Sequence, residues 1–281
     1  MLEYFDSHTH LQFKDYDNTR EDILSEMKTD RMGLVNVGTT QETSKRAVKL
    51  SEKSTNEFIF STVGIHPTKV SSNFQNDKEV NKRGDQGNIW NYDFFKNFTQ
   101  RETVVAIGEC GLDYFHLDSE TKKKKEQQKS MFKKHIALAK DADLPLMIHC
   151  RPSENSMDAY NDLYDILKKE NDLPKIIIHF FVGNKNMAKN FLDMGYFFTF
   201  GGAITFTGDY NDVVNYIPID KILLETDAPY VTPEPHRGKR NKPIYVKEVY
   251  KKMADIKGVG LEELKSKIIE NNEKVFGLDL S

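Results

Sequence analysis

Eight short apolar runs recur along this chain, and segments of helical periodicity separate most of them. The runs cover 2–6, 33–37, 58–63, 103–107, 144–149, 175–179, 196–200 and 221–225. Between them, 19–30, 42–53, 119–142, 156–169, 184–194 and 208–216 place apolar residues at the spacing of a helix face. Strands that alternate with helices are joined by crossovers rather than hairpins, which argues for a parallel sheet. Eight of them argue for closure. The expected fold is therefore α/β, a single (β/α)8 TIM barrel over 1–281. Such a barrel takes about 250 residues, so the length fits. Two more helices are expected at 243–256 and 261–275, after the last strand. The pattern fails between Ser71 and Asn91, which is rich in Asn, Asp, Lys, Ser and Gly and reads as a long surface loop. No repeat or linker divides the chain.

Composition narrows the classes. A net charge of -3 excludes a basic protein that coats nucleic acid, so phosphate binding has to come from a local patch or from metal ions. Two cysteines make no disulfide framework and suit a reducing compartment. The first residues, Met1 to Asp6, lack the basic and apolar regions of a signal peptide. No stretch reaches the roughly 18 apolar residues of a membrane span. An intracellular protein is expected, cytoplasmic or nuclear.

Chemistry gathers at the ends of the runs. The first leads into Asp6-Ser7-His8-Thr9-His10, the fourth into Gly108-Glu109, the fifth into His149, the sixth into His179 and the eighth into Glu225-Thr226-Asp227. Alternation along a strand lets Asp6, His8 and His10 share one side. In a barrel the C-terminal strand ends meet on one face, where active sites are built. A packed core histidine explains one such ending, but not five. Four imidazoles and two carboxylates exceed what one metal uses, since zinc takes three or four protein ligands and a catalytic site leaves one position open. Two ions sharing a carboxylate satisfy the set, with Glu109 the best candidate for the bridge. The mixed nitrogen and oxygen donors suit Zn, Mn or Fe, and Mg if waters complete its shell.

These endings belong to longer motifs: Asp6-Ser7-His8-Thr9-His10-Leu11, Gly64-Ile65-His66-Pro67, Ile107-Gly108-Glu109-Cys110-Gly111-Leu112-Asp113-Tyr114, Ile148-His149-Cys150-Arg151, Glu225-Thr226-Asp227-Ala228-Pro229-Tyr230, and the run from Pro235 through His236 and Arg237 to Asn241. Through them the chain resembles, over nearly its whole length, the TatD-type metal-dependent deoxyribonucleases of the amidohydrolase superfamily. The resemblance implies that His8, His10 and Asp227 bind one metal, that His149 and His179 bind a second, and that Glu109 bridges them. It also implies a 3′→5′ exonuclease preferring single-stranded DNA, with Asp227 taking the proton from the attacking water. One departure stands at His179-Phe180-Phe181, where the family usually has His-Cys-Phe. The 71–91 stretch is also longer than in compact members.

The expected function is hydrolysis of DNA phosphodiesters by a water activated between two divalent ions (Mg, Mn or Zn). Arg151, beside His149, is placed to hold a phosphate, and His66, His236, Arg237, Lys239 and Arg240 are expected at the same rim. The alternative is hydrolysis at carbon, of an amide, lactone or aminoacyl ester, which the same barrel and metals serve. A metal-stabilised interaction protein is disfavoured because no ligand is missing. Asp6 is expected to orient His8 or another ligand. Cys110 and Cys150 should face the helix layer as reduced packing thiols. His116 and His135 read as surface or helix-packing residues, and Lys122 to Lys125 as a solvated helix face rather than a nucleic-acid patch.

Overall fold

The computed structural model describes residues 2–70, 90–117 and 121–281. Eight strands form one parallel sheet in sequence order: β1 (Tyr4–Thr9), β2 (Met32–Val37), β3 (Ile59–Val63), β4 (Val104–Asp113), β5 (Leu146–Arg151), β6 (Ile176–His179), β7 (Phe197–Phe200) and β8 (Ile222–Leu224). The strands read as apolar runs because both faces are covered, as in any parallel barrel. Inside, Phe5, Val35, Val37, Met147, Ile177 and Leu223 fill the core, and Val275, Phe276 and Leu280 close its lower end. Outside, Leu34, Ile107, Ile148, Ile178 and Leu224 pack against the helices. β8 returns to β1 through the Thr9–Ala228 bridge and the bonds from Asp227 N to His8 O (2.9 Å) and from His10 N to Ala228 O (2.8 Å).

The helices are α1 (Arg20–Thr29), α2 (Gln41–Lys53), α3 (Pro67–Val70), α4 (Tyr92–Phe98), α5 (Thr121–Ala142), α6 (Asp158–Leu167), α7 (Lys185–Asp193), α8 (Asn211–Tyr216), α9 (Val246–Lys257) and α10 (Leu261–Phe276). Local chemistry starts several of them. Thr40 caps α2 in a capping box with Thr43, while Asn91 and Asn184 accept backbone N–H groups of α4 and α7. Two helices, α3 and α4, were not expected from periodicity; neither is long enough to show a repeating face. The loop expected at 71–91 lies outside the described residues except for Trp90 and Asn91, and so do the first two residues of the helix expected at 119–142.

Two strands depart from simple alternation, and both departures position the site. Along β4, Val105 and Ala106 face the barrel interior and Ile107 faces the helices. Alternation would then turn Glu109 outward. Instead β4 carries one residue more than β5 between the pairs Ile107–Leu146 and Cys110–Ile148, so Glu109 turns into the mouth while Cys110 and Leu112 face out. β4 also runs on to Asp113 rather than closing at Glu109. β1 has a matching irregularity against β2 between Asp6–Leu34 and Thr9–Asn36. Phe5 faces inward, the Ser7 hydroxyl bonds Asn272 on α10 (2.8 Å), and His8 turns into the mouth. Alternation alone, the basis for grouping Asp6 with His8, does not hold across this bulge. His149 and His179 need no such device, because Met147 and Ile177 already face inward two residues before them.

Gly111 belongs to the β4 device. Its φ is +132°, and a Cβ built there would lie 2.1 Å from the His149 carbonyl oxygen. Gly111→Ala is expected to destabilise the fold by about 2 kcal/mol or more, from positive φ and backbone collision together. Chemical denaturation checks this, and an unchanged midpoint would contradict the account of the bulge.

His135 pins α5 to the end of β3. Its Nδ1 donates to Met131 O (2.9 Å), and its Nε2 accepts from Ile65 N (2.9 Å). Burial lowers its pKa from 6.5 to about 4, so the folded protein holds it neutral. Between those values the unfolded chain binds a proton that the folded chain does not. The contribution is therefore complete above pH 6.5, falls as pH drops toward 4 and is flat below. The stability advantage of wild type over His135→Gln should shrink by up to about 3 kcal/mol between pH 7 and 4. Paired denaturation curves across that range would show it, and a constant difference would refute it.

Candidate metal centre

The mouth of the barrel holds a cavity of about 850 Å³. His10, His66, Glu109, His149, His179 and Asp227 line it, and His8 stands behind them, fully buried. The two Glu109 oxygens serve different neighbours. Oε2 lies 3.6 Å from His8 Nε2 and 3.8 Å from His10 Nε2. Oε1 lies 3.0 Å from His149 Nδ1, 3.1 Å from His179 Nε2 and 3.3 Å from His66 Nε2. Asp227 Oδ1 completes the first side, 3.4 Å from His10 Nε2 and 3.7 Å from His8 Nε2. Asp227 takes φ 52°, a left-handed conformation that a short polar side chain tolerates.

Outer partners fix which imidazole nitrogen faces the centre. His10 Nδ1 sits 2.8 Å from Val37 O and must donate there, which leaves a lone pair on Nε2. His179 Nδ1 faces the buried Glu225 carboxylate (3.1 and 3.2 Å), and His149 Nε2 faces Asp113 (2.9 Å). Carboxylate or carbonyl partners of this kind set the tautomer of metal-binding imidazoles. His8 and His10 Nε2 atoms lie 3.3 Å apart. With the His10 lone pair turned inward and two carboxylates beside it, this geometry suits a cation. Ligand atoms converge in three overlapping groups: His8, His10 and Asp227; His8, Glu109 and His179; His66, Glu109 and His149.

The electrostatics agree. Burial alone would raise the Glu109 carboxyl, but the His66 and His179 imidazoles and the bonds from His149 and His179 hold it well below its ordinary range. Burial would lower His149, yet Asp113 and Glu109 bring it up to about 9. His179 is also raised, by Glu225 and Glu109 against burial, and His10 by Asp227. An enclosed site whose carboxylates favour positive charge on every side is a site for cations.

Several expectations change. Asp6 orients no imidazole. Its carboxylate accepts from Thr226 N (2.9 Å), Thr226 Oγ1 (2.5 Å) and His8 N (3.3 Å), so it ties the backbone of β1 to the segment carrying Asp227. The basic loop after β8 does not reach the cavity wall. The Arg240 guanidinium bonds Asp15 O and Thr19 Oγ1 and lies over Tyr16. His236 stacks on Tyr245 at 3.8 Å. Arg237 stacks on Phe206, and neither it nor Lys239 lines the cavity. Of the expected phosphate-binding cations only Arg151 lines it, joined by Lys69 and Lys124. Lys124 comes from the run read as a solvated face; the side of α5 it occupies borders the mouth.

His66, expected at the phosphate rim, stands within the cluster itself, beside Glu109 and His149. Its Nδ1 accepts from Thr68 N (3.2 Å), which leaves the proton of the neutral ring on Nε2, facing Glu109. His116 is not a lone surface residue either, since its Nδ1 bonds Asp113 at 2.9 Å. Asp113 and Glu225 were missed as imidazole partners. Each stood in a motif four residues after Glu109 or two before Asp227, but nothing in the order of residues shows which ring it meets. Phe180 lines the cavity without ligating, and Cys110 and Cys150 are buried free thiols.

Comparison with known proteins places this geometry. The family model described as TatD related DNase matches residues 5–277. A protein of Bacillus subtilis named as a metal-dependent hydrolase is 36% identical over 279 residues, covering 98% of this chain and 99% of that one. A second, from Escherichia coli, is 31% identical and covers 98% of this chain and 96% of its own length. A TatD homologue of Escherichia coli K12 superposes with a TM-score of 0.81 at 24% identity over 99% of both chains. A TatD family hydrolase of Entamoeba histolytica superposes with a TM-score of 0.77 at 22% identity over 98% of both. The chain belongs to the TatD-related DNase family of metal-dependent hydrolases.

Proposed function

We propose that this chain hydrolyses phosphodiesters of DNA, as a 3′→5′ exonuclease on single strands, with two divalent ions (Mg, Mn or Zn) held in the barrel mouth. The observation that carries it is the division of the Glu109 carboxylate, one oxygen toward His8 and His10 and the other toward His149 and His179. A carboxylate so placed would be shared by two ions. His8, His10 and Asp227 would hold one and His149 and His179 the other. Two bound ions would supply Lewis-acid polarisation of the phosphodiester and would acidify the attacking water.

The chain's own groups do the rest. Asp227, 18% exposed where Glu109 is 4%, is open to the cavity and is the group placed to accept the proton of the attacking water. Its carboxyl is held low by His10, His179 and His8 against the effect of burial, so it is ionised at neutral pH. His66 Nε2–H faces the same space and can donate to an oxygen of the substrate. Arg151, Lys69 and Lys124 on the wall favour an anionic substrate over a neutral amide or lactone.

Glu109→Gln is expected to lower bound metal from two ions per chain to one or none. Turnover of single-stranded DNA should fall by about 1000-fold or more, with circular dichroism unchanged. Asp227→Asn should lose comparable turnover and keep at least one ion. Elemental analysis beside the kinetics decides: two ions retained in Glu109→Gln would rule out the bridge. Chelation should abolish activity and added Mg, Mn or Zn restore it.

The wall cations give a separate expectation. Phosphate contacts release counterions, so each contact removed from a single strand lowers the salt slope by about 0.7. Lys124→Ala with Arg151→Ala should weaken oligonucleotide binding similarly across sequences and flatten the slope by up to about 1.4. An unchanged slope and affinity over a salt series would remove these residues from the interface.

A further inference from the structure

Few large apolar side chains are exposed among the described residues: Tyr92, Phe115, Phe206 and Tyr216. Two of the four line the metal cavity. Phe115 follows the end of β4 and is 47% exposed; Phe206 follows the short turn after β7 and is 42% exposed. With β5 and β6 between them, they stand on separate walls of the mouth. Apolar surface kept open in a concave site marks a contact surface for a ligand.

A guanidinium stacks on each ring. Arg151 Cζ lies 4.0 Å from the Phe115 ring centre, and Arg237 Cζ lies 4.0 Å from that of Phe206. Arg237 is also tied to Thr232 O at 2.8 Å, which holds it over its ring. Arg151 extends from β5 two residues beyond His149. Each pair thus joins an exposed flat ring to a positive charge stacked on it, in the manner of cation–π stacking. A nucleotide presents the complement, a flat π-face beside a phosphate anion. A small aromatic ligand would need one such face. Two faces on separate walls suit a chain that passes across the metal ligands.

We propose that Phe115 with Arg151 and Phe206 with Arg237 are two stacking platforms that seat unpaired nucleobases on either side of the scissile phosphodiester. The proposal rests on the phosphodiester reading above and adds what recognises the strand. A base seated on either ring is withdrawn from its complement, so the platforms select single strands. They tolerate any sequence, because every base has a π-face. Arg237, absent from the cavity wall, acts here through the ring it supports and not as a direct phosphate ligand.

Single abasic nucleotides walked through a short single-stranded oligonucleotide test this. Binding is read by fluorescence anisotropy in chelator, and kcat/KM by hydrolysis with Mn added back. Wild type should lose roughly 5- to 100-fold at the two positions beside the scissile bond, the range of one lost base stack. Phe115→Ala should bind the intact strand more weakly by a similar factor and show no further loss at one of those positions. Phe206→Ala should do the same at the other. Phe115→Trp and Phe206→Trp, which keep a ring, should retain the wild-type pattern. Both positions are exposed, so truncation is expected to leave folding intact, and circular dichroism verifies it. A wild type indifferent to base removal, or alanine variants that discriminate as wild type does, would overturn the platforms while leaving the nuclease standing. A wild type that hydrolyses an aminoacyl ester or lactone but no DNA would overturn the phosphodiester reading and the platforms with it.

Discussion

The barrel closes along a narrow seam, and the seam also carries one side of the candidate metal centre. β8 is three residues long and meets β1 only near its end, through Asp227 N to His8 O, His10 N to Ala228 O and the Thr9–Ala228 bridge. Three of the ligand-bearing residues therefore supply the backbone groups that complete the cylinder. Asp6 reinforces the join by accepting the amide and hydroxyl of Thr226 from across it. A buried carboxyl without partners would be costly; burial still drives the Asp6 pKa well above its usual value despite these donors. The arrangement couples structure to function. Loosening the seam would move His8, His10 and Asp227 together.

On the far side of the mouth the constraint is register. Glu109 reaches the centre because β4 holds one residue more than β5 and so reverses its facing. Glycine at 111 lets the bulged strand approach the His149 carbonyl more closely than any side chain would allow. The two carboxylates behind the imidazoles, Asp113 and Glu225, orient rings and accumulate negative charge in a region closed to water. Favourable cation binding follows from that charge balance as much as from the ligand atoms themselves. The same closure leaves the candidate centre one open side, lined by cations and by two phenyl rings.

The order of residues by itself determined the architecture. Alternating strand and helix periods, with strands apolar throughout, admit little besides a closed parallel barrel, because each parallel connection needs a crossover and both faces need cover. It also pointed to the candidate ligand set, whose side chains the fold brings together. Histidines and carboxylates at successive strand ends must converge where those ends meet, and His149 and His179 followed from alternation with no correction. The family motifs likewise named Glu109 and Asp227.

Only the tertiary structure decided how the set is turned, supported and surrounded. Bulges at β1 and β4 invert the facing of His8 and Glu109, and a bulge depends on the partner strand's register, which no single segment encodes. Asp113, Glu225 and Thr226 find their partners across 36 to 220 residues of chain. The basic loop after β8 appeared to belong to the substrate rim by its place in the sequence, yet Arg240 folds onto Tyr16 and His236 onto Tyr245. Lys69, Lys124, Phe115 and Phe206 took the rim instead. Position along a strand is set by local geometry and can be read from periodicity. Which loop side chain reaches a cavity is set by competing contacts between distant segments, and those exist only once the chain has folded.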